Sequence, residues 1–89
     1  MEKHGTNIEE TLAERETQHG PFREHALIEL KLRNILETHG GRLSPAQKIA
    51  LGMIFHKTSR ILNGGSRHSD TWHDIAGYSI LAENEILNE

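Results

Sequence analysis

No stretch of this 89-residue chain alternates apolar and polar residues as a half-buried strand does, and valine is absent from it altogether. Strands select β-branched and aromatic residues that pack on a pleated surface, so a sheet is excluded and the apolar residues must be buried on helices. Helix punctuation is correspondingly clear. Ser44-Pro45-Ala46-Gln47 combines a capping serine, a proline at the first turn and a glutamine placed to return the serine's hydrogen bond. The helix it opens runs through Leu51, Ile54, Phe55, Thr58, Ile61 and Leu62 and stops before Gly64-Gly65.

Upstream, Thr6 with Glu9, or Asn7 with Glu10, forms a capping pattern for a shorter first helix that ends near Gly20. Pro21 then opens a second helix to about His39, with a stripe of Phe22, Ala26, Leu27, Leu30, Ile35 and Leu36 before Gly40-Gly41. After a polar turn from Gly64 to Ser69, Ser69 or Asp70 caps a fourth helix. Its expected buried line is Trp72, Ile75, Ala76, Ser79, Ala82 and Ile86. So short a connection folds the last two helices into an antiparallel hairpin. The fold expected is all-α: a short N-terminal helix plus three longer antiparallel helices in a small bundle. Residues 1–5 are expected to be loose and 6–89 to form one domain.

Composition limits the partners. The hydrophobic share is 35%, with only four aromatic side chains, Phe22, Phe55, Trp72 and Tyr78. A core that thin leaves apolar surface wet, which favours a homo-oligomer. Without cysteine there is neither a disulfide nor a thiolate metal site, which favours the cytoplasm. No apolar run reaches the ~18 residues of a membrane span, and Met1–Gly20 lacks the layout of a signal peptide. A net charge of −3 disfavours nucleic acid as a partner.

The chemistry-bearing residues gather on the last two helices. Both aspartates of the chain lie in Asp70-Thr71-Trp72-His73-Asp74, four apart and therefore on one helix face. Lys57 and Arg60 share a face of the preceding helix, and counting from the turn sets Arg60 opposite Asp74 and Lys57 opposite Tyr78. The plain reading is structural: Asp70 caps its helix, and Arg60 with Asp74 fixes the hairpin's register. The functional reading has Lys57 and Arg60 bind a phosphate, to which arginine's planar fork is suited, while Trp72 or Tyr78 stacks on a base or sugar.

Asp70 and Asp74 are also candidate ligands for magnesium, and His68 and His73 add spacings that can converge on an ion. His4, His39 and His68, beside glycines or in turns, read as solvated. At the other end Arg15, His19 and Gly20 form a candidate ligand contact, against the alternative of a glycine helix stop followed by a proline start. Nucleophilic catalysis has no support, since there is no cysteine and no serine on a strand-to-helix elbow.

The stretches Thr11–Gly20, Ala50–Ile61 and Asp70–Tyr78, with lysine, two residues, arginine and then an Asp-Ile-Ala-Gly-Tyr helix, resemble a family of short phage and prophage proteins. The matching positions are Arg15, Gly20, Lys57, Arg60, Asp70, Asp74, Ala76, Gly77 and Tyr78; an aromatic is usual where His19 stands. The arrangement is also distantly similar to all-helical MazG-type nucleotide pyrophosphohydrolases, which hold magnesium on carboxylates. Here neither Glu-x-x-Glu nor Glu-x-x-Asp occurs. His73-Asp74 resembles the dipeptide of the HD phosphohydrolases, but no aspartate follows it.

These resemblances imply a nucleotide-like ligand bound without cleavage, sequestered as a counter-defence decoy in the cytoplasm of an infected bacterial host. The alternatives are a magnesium-dependent nucleotide hydrolase and a protein-interaction inhibitor of a host factor.

Overall fold

The Ser44 start signal forms as its chemistry predicts. In a computed structural model, Gln47 N–H donates to the Ser44 hydroxyl at 3.1 Å and Ser44 N–H donates to the Gln47 side chain at 3.0 Å. The structure describes residues 2–89, with the side chains of residues 2–6, Glu16 and Gln18 outside the description. Four helices follow one another: α1 (Glu2–His19), α2 (Phe22–His39), α3 (Pro45–Arg60) and α4 (Ser69–Leu87). The protein is all-α, and no strand occurs among the described residues.

Boundaries differ from expectation where local signals compete. The backbone of α1 is helical from Glu2, so the Asn7/Glu10 capping pattern lies inside the helix, where the Asn7 carbonyl accepts from Thr11 Oγ1. The Thr6 cap and the loose segment 1–5 fall outside the described side chains. α3 passes into a π turn, Ile61–Gly65, and bends at Asn63 and Gly64, whose φ of +114° suits glycine. α4 begins without the expected Ser69 or Asp70 cap, since His68 holds the cap position and makes no side-chain bond. The Trp72 indole N–H instead donates to the Ser66 carbonyl at 2.8 Å and closes the loop.

α3 is the middle of the fold. It packs against α2 on one side and α4 on the other, while α2 and α4 barely meet. At about 100° per residue, Gly52 and Ser59 lie on one side of α3, and Ala50 and Lys57 nearly opposite. Gly52 and Ser59 are small and two turns apart, which lets α2 approach closely; both are buried. The three helices therefore form an antiparallel layer. α1 meets this layer at the π turn and at the start of α2.

A helix in a layer buries only the strips that touch its neighbours, not a wide apolar face. Among the described residues Ala50 is the one buried apolar side chain; the other buried side chains are His19, His25, Ser59 and Thr71. The expected stripes largely face outward: Phe22, Leu27, Leu30 and Ile35 on α2 are exposed, as are Trp72, Ala76, Ser79 and Ile86 on α4. No helix among the described residues is long and apolar enough to cross a membrane.

Candidate functional site

The π turn decides which charges meet. With the chain bent at Asn63 and Gly64, Lys57 Nζ, not Arg60, reaches Asp74 Oδ2 at 3.0 Å. Continuing the antiparallel register sets Arg60 level with Asp70 and Thr71. Arg60 is half-buried, and its Nε is buried without a hydrogen-bond partner among the described residues.

Two buried histidines share that end of the layer with Arg60. His19 closes α1 and stands edge-on to His68, with ring centroids 5.2 Å apart. His25, on the first turn of α2, lies between Phe22 and His56, with centroids 5.0 and 6.3 Å away. The Nδ1 atoms of both His19 and His25 are buried without partners. Burial holds the His19 ring below its ordinary pKa, and the charges of Arg60, His68, His25 and Lys57 push the same way. Burial likewise lowers His25, joined by Arg60 and His56 and partly opposed by Glu29.

The chain path into this cluster is fixed by Gly20 and Asn63. Gly20 has a φ of +76°, and a Cβ there would fall on the Asn63 carbonyl oxygen. Asn63 Nδ2 donates to the carbonyls of His19 at 3.2 Å and Pro21 at 3.0 Å. Gly20 thus admits Asn63, a neighbour within the chain, and its role as a glycine stop before proline is the structural one. Glu29 makes a second tie between α2 and α3. It accepts from Arg33 Nε at 2.7 Å and from His56 Nδ1 at 2.6 Å. Burial would raise the Glu29 carboxyl, but the hydrogen bonds and charges of His56 and Arg33 outweigh it and hold the carboxyl below its ordinary value.

The structure therefore brings His19, Gly20, Lys57, Arg60 and Asp74 to one end of the layer and leaves other candidates apart from it. Arg15 is exposed on α1 beside Asn7 and Thr11. Trp72 donates its indole N–H to Ser66 and is exposed. Tyr78 lines an open recess of about 500 Å³ with His73, Asp74 and Gly77, adjoining the Lys57–Asp74 pair. Asp70 is exposed, and among the described residues no group of three or more His, Asp or Glu is placed to hold a metal ion. His25, Glu29 and Asn63 are not among the contacts that the sequence spacing predicts. The spacing His25, Glu29, Arg33 puts three polar groups on one helix stripe and was the available signal; Asn63 gave none.

Fold and site together define a small all-helical protein with a three-helix layer and, at one end of it, two buried histidines beside an arginine whose Nε has no partner among the described residues. The chain belongs to the family described as a domain of unknown function, DUF6378, whose model matches residues 6–86. No curated protein and no solved structure matches it.

Proposed function

We propose that this protein binds a nucleotide-like, phosphate-bearing small molecule at the His19–His25–Arg60 end of the layer and holds it without cleaving it. The observation that carries the reading is the buried Arg60 Nε without a partner, beside two buried histidines whose Nδ1 atoms are also unpartnered. A buried polar group left unpaired costs about 1–3 kcal/mol, and more when charged, so an unfilled donor is a cost that a bound acceptor removes. Lys57 is paired with Asp74 and His56 with Glu29, and burial holds His19 and His25 toward their neutral forms, so Arg60, which has no ion pair among the described residues, is the charge that selects an anion. Phosphate oxygens suit a guanidinium, and the recess beside Tyr78 gives a base or sugar a place to lie.

The resemblance to short phage proteins and to MazG-type enzymes belongs with this reading. A nucleotide site that lacks their multi-carboxylate cage would retain its ligand, as a counter-defence decoy does. The experiment is calorimetry of the purified chain with ATP, ADP, cyclic AMP and pyrophosphate, with and without magnesium, followed by chromatography of the recovered nucleotide. Binding with the nucleotide recovered intact is expected, and Lys57→Ala is expected to weaken it while circular dichroism is unchanged. Absence of heat with every one of these probes, or turnover that needs magnesium, overturns the proposal.

A further inference from the structure

We propose that a second copy of this chain covers the apolar face of the three-helix layer, the face turned away from Arg60 and Asp74. Projecting each helix at about 100° per residue separates the two faces. One carries Glu29, Arg33, His56, Arg60 and Asp74, with the exposed Ile49 and Leu81 among them. The other carries Ile28 and Leu32 from α2, Leu51 and Phe55 from α3, and Ile75 and Ile86 from α4. None of these six is buried. Along this face α3 bears no charge from Leu51 to Leu62, while Glu24 and Lys31 on α2 and Glu83 on α4 stand at its rim. An apolar centre with a mixed-charge rim is the anatomy of a protein interface.

The surface area indicates how much must be covered. The chain exposes 6893 Å². A compact monomer of 10.1 kDa exposes roughly 5,300 Å², an excess here of roughly 1,600 Å². The excess is shared between the layer and α1, and it is large enough to supply the ~800 Å² per partner that a stable interface buries. A helical domain needs two layers around one core, and a single layer has its second missing. A copy of the same chain brings a matching layer, and a two-fold relation between rims that carry both signs of charge sets neither sign wholly against itself.

The test is sedimentation equilibrium of the full chain at micromolar concentration. A mass of twice 10.1 kDa is expected. Ile35 lies two turns after Ile28 on the same face, and Ile35→Lys with Ile86→Lys is expected to bring it to the single-chain mass. Both residues are more than half exposed in one copy, so a lone chain has little packing to lose. Ile49→Lys with Leu81→Lys, on the charged face, is expected to leave the doubled mass. Trp72, the only tryptophan, points from the apolar face and is 52% exposed in one copy. Acrylamide is therefore expected to quench it poorly in the wild type, which gives a reading even where a variant fails to fold. A single-chain mass for the wild type, as would follow if a different protein were the occupant, overturns the proposal. So does free quenching of Trp72, or dissociation by the charged-face pair alone. Nucleotide binding enters none of these readings, so the two proposals fail separately.

Discussion

At Gly20 two costs coincide: a left-handed φ of +76°, and Asn63 lying where a Cβ would be. Gly20→Ala is expected to destabilise the fold by about 2–4 kcal/mol, and Asn63→Ala by about 1–3 kcal/mol through two orphaned carbonyls, read by urea denaturation. Arg60 is expected to behave in the opposite way. Its Nε has no partner to lose. Arg60→Met should therefore keep or raise stability by about 1 kcal/mol in the ligand-free chain while it abolishes binding of the nucleotide probe; a loss of stability would mark Arg60 as structural. His19 and His25 give the pH dependence. Both are held below the ordinary value of 6.5 in the folded chain, so between that value and the lowered one the unfolded chain binds more protons. Their contribution is complete above pH 6.5 and is lost as pH falls through the window beneath it. Arg60, His68 and Lys57 around His19, and Arg60 and His56 around His25, oppose protonation in the same sense, and only Glu29 opposes them at His25. Melting temperature measured across this window in the ligand-free chain is expected to drop on acidification and to drop less in His25→Phe. A flat profile would show that these rings do not titrate differently on folding.

Among the elements, α3 owes its start to a local bond pattern. Ser44→Ala removes the hydroxyl that Gln47 N–H uses and is expected to cost about 1 kcal/mol in chemical denaturation, with little change in Gln47→Glu, which can return the same bond. That local origin is why the start of α3 and the end of α2 were legible in the sequence: capping serine, proline and paired glycines act within a few residues of themselves. The faces were not legible, because which strip of a helix is buried depends on how many neighbours it has. The apolar period on α2 correctly signals a helix. It gives the wrong inner face because α2 has one principal helix neighbour, and His25, Glu29 and Arg33 turn toward it while Leu27 and Leu30 turn out. The pairing across the hairpin was misread for a different reason. Where the chain bends between two helices sets the register, and with the bend at Asn63 and Gly64, Lys57 takes the aspartate that counting gives to Arg60. Among the described residues Arg60 is thereby left outside the ion pairs.

At the scale of the whole molecule, the chain measures 51 × 27 × 26 Å with a radius of gyration of 15.6 Å, against about 12 Å for a compact domain of this length. Part of the elongation is α1, which joins the layer only at its π-turn end, and part is the layer's flatness. A shape so open, with one buried apolar side chain among the described residues, leaves little of the hydrophobic stabilisation that must offset chain entropy. Stability must then depend on how many chains are present. For a dimer that unfolds to two separate chains, each tenfold rise in concentration adds about 1.4 kcal/mol to the unfolding free energy. Dividing by an unfolding entropy of about 2.1 cal/mol/K per residue over two 89-residue chains, the melting temperature should rise by roughly 4 °C per decade of concentration. Calorimetric scans over two decades read this directly. The Ile35→Lys and Ile86→Lys pair should melt at one low temperature at every concentration. A wild-type melting point that does not move over the same range would place the missing core inside the single chain, and the apolar face would then need no second copy.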